Sequence, residues 1–239
     1  QYHSIAPKPA GVKEPFLYVH PEQFERQIAA LREAGYASAP MDLLAGRIPP
    51  GNPGRNVVIT FDDGCANVAK HAMPILARHG FRAIQFLVAG EIGGRNEWDA
   101  RDGEVPERLM DGGMVREWLA AGHAIGSHTL THPNLSRRSE SEVREQVTGS
   151  KKRLEDLFGV RIAHFAYPHG RWNPMVRSLV REAGYETACT TAFGVNTEDS
   201  DRHLLQRIFP LTPAGFAGKA AHAVRRKIRA AFRRPRRGN

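Results

Sequence analysis

The sequence predicts an α/β fold in which helices wrap parallel β-strands, either as a barrel or as a doubly wound sheet. Short apolar runs alternate with amphipathic segments along the chain, a pattern typical of strand–helix units with parallel strands. Of the 239 residues, 41% are hydrophobic and 25% charged, as in ordinary globular proteins. No internal repeat interrupts the pattern, so we expect one domain over residues 1–215 and a basic tail over 216–239.

The predicted elements follow one another with short connections. Helices are expected where apolar residues recur at helical spacing, at residues 21–34, 67–79, 113–121, 140–158 and 174–183. Strands are expected where β-branched or apolar runs stand between turn residues, at 57–61, 83–88, 123–127, 163–167, 185–189 and 205–209.

The net charge of +9 lies in the C-terminal tail. From Lys219 onward there are nine Lys and Arg residues and no acid, whereas the preceding residues contain 25 of each sign. No nucleic-acid partner is expected, because a binding domain needs basic residues organised on its folded body. The tail is interpreted as a short helix with Val224, Ile228, Ala231 and Phe232 near one face, which could bind an anionic membrane surface or an acidic polymer. A frayed terminus is the alternative.

The sequence predicts no membrane-spanning segment. No apolar run approaches the roughly 18 residues that span a bilayer, and no signal peptide is visible at Gln1. The compartment is left open.

Two adjacent carboxylates end the predicted strand 57–61, in the sequence Thr60-Phe-Asp-Asp-Gly64. Asp62 and Asp63 project in different directions, so one can bind a metal while the other transfers a proton. Gly64 permits the sharp turn that frees them from the strand. A structural turn is the alternative, because Asp and Gly are common turn residues.

Two histidines follow the strand 123–127. If this segment turns helically, His128 and His132 share one face and reach one cation. Two imidazoles and one carboxylate leave positions open for water and substrate, which suits a hydrolytic zinc or related divalent site. Histidine pairs at this spacing are often incidental, and it is their combination with the carboxylate pair that predicts a metal site.

A third cluster, Tyr167-Pro-His-Gly170, follows the strand 163–167. Such a turn can present a backbone N–H group to a site and form one wall of it. An ordinary strand-to-helix turn is the alternative reading.

Together the three clusters resemble the motifs of the polysaccharide deacetylase family (carbohydrate esterase family 4, the NodB homology domain). Thr60-Phe-Asp-Asp-Gly64 is similar to the first motif, His128-Thr-x-x-His132 to the second, and Tyr167-Pro-His-Gly170 to a variant of the third. They lie in the family's order across most of the chain. The resemblance implies a distorted, incomplete (β/α)7 barrel of NodB type, with its site at the carboxyl ends of the strands.

The resemblance also implies the roles of the site residues. Asp63, His128 and His132 would bind one divalent metal ion, with zinc expected and cobalt or nickel as alternatives. Asp62 would be the general base, and the backbone N–H of His169 would help hold the oxyanion. The expected reaction removes an N-acetyl group from an amino sugar in a polymeric, oligomeric or lipid-linked saccharide.

Two departures from the family pattern bear on catalysis. The arginine that begins the usual third motif is Ala166 here, and the C-terminal leucine–x–histidine motif is absent. The chain also resembles a circularly permuted branch, the biofilm poly-N-acetylglucosamine deacetylases, in which an N-terminal tyrosine–histidine strand supplies the acid. This implies His3 as the general acid. Arg207, a polar residue inside an apolar run, is predicted to replace the missing arginine.

Substrate contacts are expected from two aromatic residues. Trp98, in a loop over the substrate, would stack on a sugar face, and Tyr167 would border the site. A core tryptophan beside a capping Asp99 is the alternative.

Other functions fit the same residues. An O-acetyl esterase acting on xylan-like polymers and an amidohydrolase of cyclic amides both occur in the wider family. A carbohydrate-binding protein with a dead site is the alternative of another class. The intact metal and base residues argue against it, whereas Ala166 argues weakly for it.

Overall fold

A curled sheet of six parallel strands forms the centre of the protein. The computed structural model describes residues 1–12, 14–46, 55–100 and 105–209. The sheet order is β10-β9-β8-β7-β6-β5, and two further parallel pairs, β1-β2 and β3-β4, lie outside it. The strands are β1 Ser4–Ile5, β2 Tyr18–Val19, β3 Ala37–Ser38, β4 Asn56–Val57, β5 Ile59–Phe61, β6 Ala83–Leu87, β7 Ala124–Ser127, β8 His164–Ala166, β9 Thr187–Phe193 and β10 Leu205–Arg207.

Helices connect the strands, as parallel pairing requires. The α-helices are α1 Pro21–Glu33, α2 Met73–His79, α3 Glu97–Ala100, α4 Gly112–Ala120, α5 Glu140–Phe158 and α6 Pro174–Glu182. Short 3₁₀ turns occur at Pro15–Leu17, Met41–Leu43, Ala89–Glu91, Leu135–Arg137 and Pro168–Gly170. Within the described ranges, no helix is long and apolar enough to cross a membrane.

The N-terminal segment lies between the two edge strands of the sheet. On one side, the Tyr2 N–H donates to the Thr60 carbonyl (2.8 Å) and the Asp62 N–H donates to the Tyr2 carbonyl (2.9 Å). On the other side, the backbone nitrogen of Gln1 donates to the Ile208 carbonyl at 2.8 Å. This segment therefore takes the place of a seventh strand, and the architecture is the incomplete barrel that the sequence predicts.

Two hydrophobic cores lie on the two faces of the curled sheet. The larger packs the helices against the outer face and includes Trp118 and Phe165, both fully buried. The smaller fills the inside of the curl. Its members are Met41, Ile84, Phe86, Ala166, Cys189 and Leu205. Gly126 of β7 lies against the Phe86 ring in this interior. A Cβ atom added to Gly126 would lie 2.6 Å from that ring, so no larger residue fits there unless neighbouring atoms shift.

The helix predicted at 67–79 is present, but it is not a regular α-helix throughout. Residues Val68–Ala72 form a π-helical turn, and the α-helix begins only at Met73. Pro74 explains the change, because proline has no N–H to donate to the Lys70 carbonyl in a regular α-helix.

The predicted basic tail, including Val224, Ile228, Ala231 and Phe232, lies outside the described residues. Its proposed binding to an anionic surface stays a prediction.

Candidate metal centre and active site

Three turns meet at the carboxyl ends of β5, β7 and β8. In the described residues, the non-glycine residues with positive φ are Asp63 (71°), Thr129 (73°), His132 (59°) and His169 (57°), and all four lie in these turns. Each such conformation costs on the order of 1–3 kcal/mol, and such residues cluster at functional sites. The backbone thus singles out the three motifs that the sequence singles out.

Asp63, His128 and His132 form a buried cluster with the donor set of a divalent metal site. The Nε2 atoms of both histidines lie 3.4 Å from Asp63 Oδ1, and one ligand atom from each residue lies within 4.8 Å of the other two. One carboxylate and two imidazoles match the ligand types of catalytic zinc sites. The residues present therefore fit the ion that the sequence predicts.

The histidine pair converges through a bent loop, which corrects the expectation of a helical turn. The residues between His128 and His132 are not helical, and the His132 N–H donates to Thr129 Oγ1 at 3.0 Å. Positive φ at Thr129 and His132 turns both rings to the same side.

Helix α5 holds this loop from behind. Gln146 Oε1 accepts hydrogen bonds from the N–H groups of Leu130 and Thr131, both at 3.0 Å. The hydroxyls of Ser127 and Ser150 are joined at 2.8 Å at the end of β7. The ligand loop is thereby fixed to a 19-residue helix.

The two imidazoles have different surroundings on their Nδ1 sides. His128 Nδ1 is 2.7 Å from the Ala166 carbonyl, a contact that orients Nε2 toward Asp63. His132 Nδ1 is buried and has no hydrogen-bond partner in the described residues. Its ring is instead stacked on Trp98, with centroids 4.6 Å apart, and meets His169 edge-on at 4.7 Å.

Asp62 lies beside the cluster and is held by residues from both ends of the fold. Arg207 donates from its two terminal nitrogens to Oδ1 and Oδ2, each at 2.7 Å. Gln1 Nε2 donates to Oδ2 at 2.7 Å, and His3 Nε2 lies 3.9 Å from the same oxygen. The structure thus brings Arg207 and His3, two of the residues singled out in the sequence, to Asp62.

Neighbouring groups favour the ionised form of both buried carboxylates. Desolvation alone would raise the pKa of Asp62, but the Arg207 guanidinium, with His128 and His3, keeps that pKa below its usual value. Desolvation likewise opposes the charge of Asp63, yet the hydrogen bond with His128 and the charges of the nearby histidines keep its pKa far below the ordinary range. The ionised form of Asp62 can accept a proton, and the ionised form of Asp63 can bind a cation.

The pKa values of the two cluster histidines shift in opposite directions. Burial lowers the pKa of His132 well below its usual value. Burial also opposes charge on His128, but its hydrogen bond with Asp63 and both nearby carboxylates raise its pKa. We interpret this difference as an effect of Asp63, whose carboxylate favours a proton on the His128 ring only. A divalent cation would satisfy the Nε2 lone pairs of both His128 and His132. Burial lowers the pKa of His3, against the pull of both carboxylates.

These groups open into one cavity of about 300 Å³. It is lined by Gln1, His3, Glu14, Phe16, Leu17, Asp62, Asp63, His128, His132, Tyr167, His169, Thr191 and Phe209. Among the described residues, the lining contains three carboxylates and neither Lys nor Arg, so this part of the cavity surface suits a neutral ligand or a cationic product.

Tyr167 and Trp98 do not offer free rings to a substrate. Tyr167 lines the cavity, but its side chain is fully buried and its hydroxyl donates to the His203 carbonyl at 3.0 Å. Trp98 is half-buried against His132 and does not line the cavity. The sugar-stacking role predicted for Trp98 has no support in this geometry, since the ring packs on a metal-ligand candidate.

Several residues of the site were not singled out from the sequence. No motif marks Gln1, Gln146 or the Glu14–Leu17 segment. All of them are far along the chain from Asp62 or His132, so the sequence does not show that they lie at the same site. The apolar pair Phe16-Leu17 just before the strand residue Val19 is an ordinary pattern and does not by itself indicate a site.

The chain is similar to proteins of known sequence and known structure. The profile of a family described as polysaccharide deacetylase matches residues 50–188. The chitooligosaccharide deacetylase of Azorhizobium caulinodans is 33% identical over 131 residues, which cover 54% of this chain and 55% of that protein. The poly-beta-1,6-N-acetyl-D-glucosamine N-deacetylase of Staphylococcus aureus is 26% identical over 159 residues, which cover 65% of this chain and 54% of that protein. The chain thus spans about half the length of these relatives.

A solved structure extends the similarity to nearly the whole chain. IcaB from Ammonifex degensii superimposes with a TM-score of 0.77 and 26% identity, covering 93% of this chain and 94% of that chain. The predicted barrel fold is confirmed by this match.

Proposed function

Because this chain belongs to the polysaccharide deacetylase family, we propose that its cavity hydrolyses N-acetyl groups on an amino sugar of an oligo- or polysaccharide. The reaction would depend on a divalent metal ion, with zinc expected. One observation carries the proposal: the Asp63–His128–His132 cluster and Asp62, which Arg207 holds by paired hydrogen bonds, line the same cavity. The two relatives described above are named as deacetylases of N-acetylglucosamine saccharides or chitooligosaccharides.

The residues divide the chemistry between them. Asp63, His128 and His132 would hold a divalent cation, and such an ion would supply Lewis acidity that lowers the pKa of water and polarises a carbonyl. Asp62 accepts the proton of the attacking water as its oxygen bonds to the acetamide carbon. The His169 backbone N–H is assigned to the carbonyl oxygen as negative charge develops there.

His3 completes the reaction in this proposal. His3, in its imidazolium form, donates a proton to the leaving nitrogen as the C–N bond breaks, and the products are acetate and a free amine. Arg207 holds Asp62 in place throughout, through its paired hydrogen bonds. The ammonium form of the product suits a cavity lined by three carboxylates.

The function is tested by acetate release from N-acetylglucosamine oligomers, with β-1,4- and β-1,6-linked substrates side by side. We expect no release by metal-stripped protein and recovery on reloading with zinc, cobalt or nickel. His132→Ala should lose both metal and activity. The control His20→Ala alters an exposed histidine outside the cavity and should behave as wild type. Release from acetylated xylan alone would favour the esterase, and failure to bind any divalent metal would contradict the proposal.

A second prediction concerns His3. His3→Ala should lower kcat on N-acetyl substrates by about 10²-fold, because the amine is a poor leaving group without a proton. The same variant should hydrolyse 4-nitrophenyl acetate within about threefold of wild type, since a phenolate leaves without protonation. Steady-state kinetics on both substrates measure the contrast. Equal losses on both would show that His3 acts on the site's structure instead.

A further inference from the structure

The 3₁₀ turn Pro15–Leu17 presents an aromatic ring at the mouth of the cavity. Phe16 is 63% exposed, more than any other large hydrophobic side chain in the described ranges. It lines the cavity together with Leu17 and Glu14. A single exposed hydrophobic side chain needs no explanation in general, but this one borders the same cavity as the metal-ligand candidates.

The register of β1 and β2 places this turn next to His3. The two strands are parallel, and Ser4 pairs with Tyr18. His3 and Leu17 each directly precede one member of that pair, so the two chain segments enter the ribbon side by side. Phe16 is therefore held on the same side of the cavity as the candidate acid.

The direction of proton transfer indicates which part of the substrate faces Phe16. The proton from His3 goes to the leaving nitrogen, and that nitrogen stays on the sugar. The sugar must therefore lie on the His3 side of the metal cluster, whereas the acetyl group lies toward His169. The wall made by Phe16, Leu17 and Glu14 faces the saccharide and not the acetyl group.

We propose that the Glu14–Leu17 segment forms a binding subsite for a second sugar unit of the substrate, with the Phe16 ring stacked on the apolar face of a pyranose. This inference rests on the proposed function, which defines the sugar side of the cavity. An exposed aromatic ring offers a large apolar face with little side-chain entropy to lose, and carboxylates such as Glu14 accept hydrogen bonds from hydroxyls. The protein would then favour saccharides of two or more units over a monosaccharide.

The subsite is tested by equilibrium binding, independently of turnover. Calorimetry is carried out with the zinc-loaded Asp62→Asn chain, so that the substrate is not consumed, and with the N-acetylglucosamine monomer and the tetramers of both linkages. We expect Phe16→Ala to weaken tetramer binding about 10-fold, equivalent to about 1.4 kcal/mol, and to leave monomer binding unchanged. Phe16→Tyr, which keeps the ring, should restore tetramer binding to within about twofold.

Phe193→Ala is the matched control, because Phe193 is also exposed (50%) but does not line the cavity. Its tetramer binding should equal that of the parent. In the active enzyme, Phe16→Ala should raise KM for the tetramers with kcat within about twofold.

Four results would overturn the subsite. In the first, Phe16→Ala binds the tetramers as tightly as the parent does, and in the second it binds monomer and tetramer equally more weakly. In the third, the parent itself binds the tetramers no more tightly than the monomer. In the fourth, Phe16→Ala loses binding only to vesicles that contain phosphatidylglycerol. The last would make Phe16 a membrane contact. A chain that shows the expected binding pattern but releases no acetate would keep the subsite and contradict the proposed reaction, so the two failures are distinguishable.

Discussion

Asp62→Asn is expected to lower acetate release by about 10³-fold while the chain still binds one divalent metal ion. Asparagine has nearly the shape of aspartate, but its amide cannot take the proton of the attacking water, and loss of a general base typically costs 10²–10⁴ in rate. The metal ligands are untouched, because Asp63, His128 and His132 make the cluster without Asp62.

The measurement pairs kcat with metal content on the same preparation. The comparison variant is Asp63→Asn, which should lose metal affinity as well as activity. A fall in kcat of less than about 10-fold in Asp62→Asn, with metal bound, would remove Asp62 from the role of base.

Arg207→Met should destabilise the fold by about 3–5 kcal/mol, because it leaves the Asp62 carboxylate buried without its partner. Both side chains are almost fully buried (relative exposures of 6% and 2%), so solvent cannot replace the two 2.7 Å hydrogen bonds. Urea unfolding of metal-free protein measures the loss. The double variant Asp62→Asn/Arg207→Met should recover most of it, since no buried charge is then left unpaired.

The single variant Arg207→Met should also invert the pH dependence that the Asp62–Arg207 pair contributes to the free energy of unfolding. In the wild type, the pKa of Asp62 is lowered in the folded state, so its ionisation stabilises the fold above the unfolded pKa of about 4 and the gain is lost as pH falls through the folded value. Without Arg207, burial raises the folded pKa, and Arg207→Met should lose stability as pH rises above about 4. Arg78→Met, which breaks an exposed ion pair with Glu25, is the control and should cost less than about 1 kcal/mol. A similar cost at both arginines would contradict the argument.

The strands and the three motif turns could be predicted because they depend on sequence that is close along the chain. The three motif turns follow strands whose composition is distinctive, and parallel strands bring their carboxyl ends to one edge of the sheet. That logic places Asp63 near His128 without any knowledge of the remaining chain. It also places His169 near His132, although the bent path between the histidines depends on positive φ values that no propensity indicates.

Long-range contacts explain what was missed. The bond from Gln1 to Asp62 joins residues 61 positions apart, and the support that Gln146 gives the histidine loop depends on how helix α5 packs. Arg207 was found only because a polar residue inside an apolar strand is unusual. Phe16 carries no such anomaly, since an apolar residue before a strand is ordinary until its exposure is known.

The order in which the site's parts appear along the chain has a consequence for its synthesis. Arg207 follows Asp62 by 145 residues, which at about 5–20 residues per second corresponds to a delay of roughly 7–30 s on the ribosome. During that interval the nascent chain contains the carboxylate of its base but not the guanidinium that stabilises it. We therefore expect the barrel to close late, so that the Asp62–Arg207 pair of the proposed active site forms only after β10 has been translated.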